Sequence, residues 1–132
     1  MPRVQLALRV GDLEAAIGFY SKLFDAPVAK RRPGYANFAI AEPPLKLVLI
    51  EGQAGEATRL DHLGVEVEAP ADVSSAAARL AAHGLGTQVE EGTTCCYAVQ
   101  DKVWVRGPGD EPWEIYTVLA DAGAELEGVA CC

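Results

Sequence analysis

Leu60-Asp61-His62-Leu63-Gly64-Val65-Glu66-Val67-Glu68 begins for a second time a pattern that Val4-Gln5-Leu6-Ala7-Leu8-Arg9-Val10 sets up near the start of the chain. In the first stretch Val4, Leu6, Leu8 and Val10 alternate with Gln5, Ala7 and Arg9. In the second, Leu63, Val65 and Val67 alternate with His62, Gly64, Glu66 and Glu68. A period of two reads as a half-buried strand. Each strand leads into helical spacing. Gly11-Asp12 offers an N-cap for a helix carrying Leu13, Ile17, Tyr20 and Phe24, which Asp25-Ala26-Pro27 ends. Pro70 to His83 forms the second helix, with Val73, Ala76, Ala77 and Leu80 on its apolar side and Gly84 as its C′ residue. Extended segments follow each helix. They are Tyr35 to Ala41 and Leu45 to Glu51, parted at Glu42-Pro43-Pro44, then Thr87 to Thr93, Tyr97 to Arg106 and Trp113 to Val118, with a turn at Gly107-Pro108-Gly109-Asp110. Gln53 to Arg59 reads as a linker. Strand, helix and several strands therefore occur twice, and such a repeat governs the fold. The expectation is one α+β domain over 1–132, with module one at about 4–51, module two at about 60–118 and a tail, 119–132, of weak periodicity.

Composition narrows the function classes. The 132 residues carry 11 Lys plus Arg against 19 Asp plus Glu, a formal charge of -8. An acidic chain lacks the electrostatic footprint of a nucleic-acid or anionic-lipid partner. No stretch approaches the ~20 apolar residues of a membrane span. Met1-Pro2-Arg3-Val4-Gln5-Leu6 runs at once into a strand, with no room for a signal peptide. The four cysteines form two adjacent pairs, Cys95-Cys96 and Cys131-Cys132. That is not the spaced framework of a disulfide-stapled secreted domain, so the expectation is a cytoplasmic protein with reduced thiols, monomeric or homodimeric.

Two constellations carry chemistry. Adjacent thiols make a poor disulfide with each other but a two-point grip on a soft centre such as zinc, Cu(I) or trivalent arsenic. A pair of buried, inert cysteines is the plainer alternative. The second constellation comes from parity. Gln5, His62 and Glu114 each lie opposite their strand's aliphatic stripe, defined by Leu6 and Leu8, by Leu63 and Val65, and by Trp113 and Ile115. With helices on the aliphatic faces, the three point to the concave side of a curved sheet, where Ala7 and Gly64 leave room. Imidazole, carboxylate and amide oxygen form a facial set like that of non-haem iron, with an amide in place of one imidazole. In the repeat, His62 answers to Gln5 and Glu114 to Lys46, which when protonated cannot ligate. Three protein ligands with open positions suit a catalytic metal. His83, in a last helical turn where a cation is favoured anyway, stands outside this set.

These residues carry a family resemblance. Val4-Gln5-Leu6 with the helix from Leu13 to Phe24, Leu60 to Val65, Lys102 to Pro108 and Trp113-Glu114-Ile115-Tyr116 are similar to the glyoxalase, bleomycin-resistance and extradiol-dioxygenase superfamily, the vicinal oxygen chelate proteins. The resemblance covers about residues 4 to 118 and implies two βαβββ modules forming a cup-shaped curved sheet around a metal site. The motifs are specific for fold and weak for reaction. Cys95-Cys96, together with Gln where a first His is usual, looks like the branch of carbon–arsenic lyases and cadmium-induced proteins. Those lyases act with Fe(II) and O2 on trivalent methyl and aromatic arsenicals.

That resemblance implies an enzyme whose substrate is a small trivalent organoarsenical, with Fe(II) as cofactor and O2 as co-substrate. Gln5, His62 and Glu114 would hold the metal. Cys95 and Cys96 would capture arsenic on a mobile loop made flexible by Gly92-Thr93-Thr94, with Tyr97 and Trp104 shaping the pocket wall. Lys102 would favour the thiolates or bind oxygen, although a solvated lysine at a strand end is the commoner role of such a residue. Apart from the resemblance, Cys131-Cys132 is a second candidate pair for trivalent arsenic, with an inert flexible chain end as the equal alternative. The alternative of another class is a non-catalytic protein that sequesters cadmium or holds a drug.

Overall fold

The structure, a computed structural model, describes residues 2–122. It divides into two compact units, one from Val4 to Asp61 and one that begins at His62 and takes in Arg3. Cys131 and Cys132, the second candidate pair for arsenic, lie outside the described residues.

The first unit contains β1 (Arg3–Val10), α1 (Leu13–Phe24), β2 (Lys30–Arg32), β3 (Tyr35–Ile40) and β4 (Leu45–Glu51). Its strand order is β2-β3-β4-β1, with β1 parallel to β4 and the other pairs antiparallel. Asp12 caps α1 by accepting from the Ala15 N–H at 3.0 Å. Gly11 is required just before it, since a Cβ there would stand 2.7 Å from the Glu56 carbonyl oxygen. The apolar stripe on α1 does what its spacing predicts. Leu13, Ile17, Tyr20 and Phe24 pack with Phe38, Leu47 and Leu49, the last three fully buried. Each such side chain contributes about 1.5–3 kcal/mol by leaving water. β2 is an element the pattern does not show. Lys30-Arg31-Arg32 has no apolar alternation and becomes a strand by pairing with β3, a short charged edge that discourages further pairing.

The second unit contains β5 (Arg59–Glu66), α2 (Pro70–Ala82), β6 (Thr87–Cys95), β7 (Ala98–Arg106) and β8 (Pro112–Asp121), in the order β5-β8-β7-β6. β5 and β8 run parallel, and β8, β7 and β6 antiparallel. Pro70 occupies the start of α2, and the Asp72 carboxylate accepts from the Ala69 N–H at 3.1 Å. Val73, Ala76 and Leu80 on α2 pack against Val103, with Ile115 and Val105 beside them. The aliphatic face is therefore covered by the helix, as parity predicts, and the opposite face presents His62, Glu114 and Lys102. Strand β8 continues to Asp121, so residues 119–121 belong to the sheet and not to a tail.

Candidate functional site

The second unit gathers three charged or titratable side chains on the face away from α2. Glu114 is on β8, His62 on β5 and Lys102 on β7, and they are 3%, 3% and 1% exposed. The His62 Nε2 donates to Glu114 Oε2 at 2.8 Å, and the Lys102 Nζ donates to Glu114 Oε1 at 2.7 Å. The sheet register places them. Glu114 stands opposite Gly64 on one side and Trp104 on the other. Gly64 has no side chain, which lets His62 reach Glu114 on the diagonal. Trp104 meets the His62 ring edge-on, with centroids 5.6 Å apart. Lys102 stands opposite Tyr116, and its Nζ lies 5.2 Å from the Trp104 ring centre and 5.8 Å from that of Tyr116. Burial pushes the Glu114 carboxyl up, but the His62 hydrogen bond and the Lys102 charge outweigh it, and the group sits below its ordinary value.

Lys102 corrects the sequence reading most sharply. It is no solvated strand-end lysine but a fully buried residue in the middle of β7, bound to the carboxylate. Two residues on the same face were missed. Tyr116 and Gln100 share the parity of Glu114 and Lys102 on their strands, and that parity was the signal available for them. Gln5 lies on β1, in the other unit, and is 4% exposed. It pairs across the sheet with Lys46 of β4. Glu114 pairs with Gly64, two residues beyond His62, so the repeat is not equivalent residue for residue at this point.

Imidazole nitrogen and carboxylate oxygen suit a first-row divalent ion. Their 2.8 Å separation is close to the ~3.0 Å edge between neighbouring donors of an octahedral ion with ~2.1 Å bonds. Among the described residues no group of three or more His, Cys, Asp or Glu could hold a metal, so a third protein donor would be of another type.

The cysteine pair lies at the β6–β7 hairpin. Cys95 closes β6 opposite Ala98, and Cys96 and Tyr97 form the two-residue turn with φ of 50° and 61°. Positive φ at both central residues is what a type I′ turn requires, and Asn-Gly is the usual sequence there. Non-glycine residues in this region cost about 1–2 kcal/mol each. Cys95 is buried, its carbonyl held by the Gln100 side chain at 2.7 Å, and Tyr97 accepts from the Ala122 N–H at 2.8 Å. Gly92, Thr93 and Thr94 are strand residues and not a loop. Gly92 sits at a register shift with φ of 59°, its N–H donating to Asp101 Oδ1 at 2.7 Å. Both cysteines are disulfide-bonded, so the two free thiols expected from the sequence describe a reduced state.

The turn geometry has a measurable consequence. Tyr97→Gly should be more stable than Tyr97→Ala by about 1 kcal/mol, because only alanine meets the left-handed penalty. At an ordinary strand position glycine is the less stable of the two. Thermal unfolding of both variants checks it, and the ordinary order would remove the strain from the turn.

Over its whole length the chain is 69% identical to a trivalent organoarsenical cleaving enzyme from Thermomonospora curvata, covering 89% of that protein. It is 66% identical to the cadmium-induced protein CadI of Mycobacterium tuberculosis, over 92% of this chain and 80% of that one. Among solved structures, the 2,3-dioxygenase LapB from Pseudomonas shares the fold, with a TM-score of 0.67 and 21% identity over 97% of this chain and 44% of that one. The family model for the Glyoxalase/Bleomycin resistance protein/Dioxygenase superfamily matches residues 3–115, and the α+β fold built from two strand–helix–strand units agrees with it; the chain belongs to that superfamily.

Proposed function

We propose that this protein is an Fe(II)- and O2-dependent carbon–arsenic lyase that degrades trivalent organoarsenicals to arsenite. The observation that carries the reading is the 69% identity, along the whole chain, to a trivalent organoarsenical cleaving enzyme. The site supplies chemistry that suits it.

His62 and Glu114 would hold the metal, together with a third donor that is not His, Cys, Asp or Glu. Fe(II), when bound, supplies the activation of O2 beside the substrate carbon. Cys95 and Cys96, once reduced, bind arsenic. Two As–S bonds form, two As–O bonds break and two waters leave, so the arsenic-bound carbon is the substituent left free. Holding that carbon in one orientation removes rotational freedom from the reaction. Tyr97, at the turn beside the pair, forms part of the wall around the captured arsenical. For methylarsenite the atoms balance with one O2, giving formaldehyde and arsenous acid without an external reductant.

A second reading follows from the 66% identity to CadI: sequestration of cadmium at the cysteine pair without turnover. Release of formaldehyde and arsenite from methylarsenite, measured with and without added Fe(II), separates the two. The lyase reading predicts equal amounts of both products, only with Fe(II) and only after reduction of the cysteines. Stoichiometric binding of methylarsenite or cadmium with no product would overturn it.

A further inference from the structure

Lys102 is a buried charged residue of the site for which neither metal binding nor arsenic capture has a use. Its ammonium is 1% exposed, so water does not solvate it, and a buried charge must be paired. Its partner is the residue proposed to ligate the metal, and the pairing is divided by atom. Lys102 Nζ takes Glu114 Oε1 at 2.7 Å, while Oε2 faces His62 Nε2 at 2.8 Å. A cation received between Nε2 and Oε2 meets a carboxylate whose other oxygen is already engaged. The Trp104 and Tyr116 rings, 5.2 and 5.8 Å from Nζ, give the ammonium further stabilisation from their π faces.

We infer that Lys102 is a positioning residue: it stands in for the metal's charge while the site is empty and restricts Glu114 to ligation through one oxygen when the site is filled. The inference rests on the assignment of His62 and Glu114 as metal ligands. The same ammonium that keeps the empty site charge-balanced opposes the entry of a divalent ion, because two cations then share one carboxylate. Lys102 thus gives up metal affinity. In return the apo-protein keeps its buried carboxylate paired, and a coordination position that a two-oxygen Glu114 would occupy stays open for substrate.

The test compares wild type, Lys102→Met and Lys102→Arg, each stripped of metal and then titrated with Co(II), whose visible absorption reports coordination number. Uptake of one Co(II) by the wild type is the control on the underlying assignment; its absence sinks that assignment, and this inference with it. With the control met, metal-free Lys102→Met should unfold about 10 °C below wild type, since it leaves a buried carboxylate without its cation. It should bind Co(II) roughly tenfold more tightly, as a repelling charge is gone, and with a changed absorption band. A Met variant that folds only with Co(II) present is the strong form of this result. Lys102→Gln, which keeps an N–H donor without the charge, carries the same comparison should the Met protein not be obtained. Lys102→Arg, which keeps the charge, should stay close to wild type in all three readouts. A purely structural lysine would lower the stability of metal-free and metal-loaded protein equally, and Co(II) affinity that is unchanged or weaker in Lys102→Met overturns the inference.

Discussion

His62→Ala takes up no Fe(II) at concentrations that saturate the wild type, and its turnover falls with its metal. This is the expected result because His62 Nε2 is one of two donors 2.8 Å apart in the second unit, and an alanine offers nothing in its place. Substituting an outer-shell partner already costs about 10–100-fold in metal affinity, so loss of a direct ligand should exceed roughly 100-fold. Glu114→Ala should lose metal to the same degree and be less stable as well. It leaves the Lys102 ammonium buried without its carboxylate, and breaking a buried pair in this way costs about 3–5 kcal/mol. Anaerobic equilibrium dialysis with Fe(II), beside thermal unfolding of the metal-free variants, reads both effects. A His62→Ala protein with full metal content removes His62 from the site.

Parity makes this much of the site legible in the sequence. Alternation along Leu63, Val65 and Val67 assigns His62 to the face away from α2, and Trp113 and Ile115 do the same for Glu114. The packing of Ile115 against the α2 cluster bears this out. Parity does not say how deeply the other face is covered. On β1 the polar-parity residues Gln5 and Ala7 are buried, at 4% and 0%, as is Val10 of the aliphatic stripe, while Val4 of that stripe is 47% exposed. The same omission produced the reading of Lys102 as solvated. A lysine inside Ala98–Arg106 looks like a polar residue facing water unless its cross-strand neighbours, Tyr116 opposite and Glu114 on the diagonal, are known.

Local chemistry was less legible where partners decide the conformation. Three basic residues at Lys30–Arg32 form β2 only because β3 offers an edge. Gly92-Thr93-Thr94 reads as a flexible loop by composition, yet hydrogen bonding across to β7 makes it strand, with the glycine absorbing a register shift. The tight turn at Cys96-Tyr97 has no Asn-Gly signal at all. Its residues hold positive φ although another sequence would do so more readily, and strain of this kind gathers at functional sites.

Cys95→Ser and Cys96→Ser should each cost nearly as much activity as the double replacement. Capture by two sulfurs makes the second As–S bond intramolecular, which raises affinity by about 10²–10⁴-fold over a single attachment. Either serine variant therefore loses roughly 100-fold or more in capture at low substrate, and removing the second sulfur takes away little that remains. Such non-additivity marks groups that act as a unit. Because both cysteines are disulfide-bonded in the structure, the wild type needs a thiol reductant before it binds methylarsenite, whereas the double variant gains nothing from one. Fe(II) affinity should be the same in wild type, both single variants and the double, since the proposal gives the metal to His62 and Glu114 and the sulfurs to substrate. The competing assignment, in which the cysteines ligate the functional metal, requires metal and activity to disappear together. Titrating Fe(II) into the reduced double variant distinguishes the two. Wild-type affinity with no methylarsenite capture fits sulfurs that hold the substrate, and a collapse of Fe(II) affinity would return them to the metal.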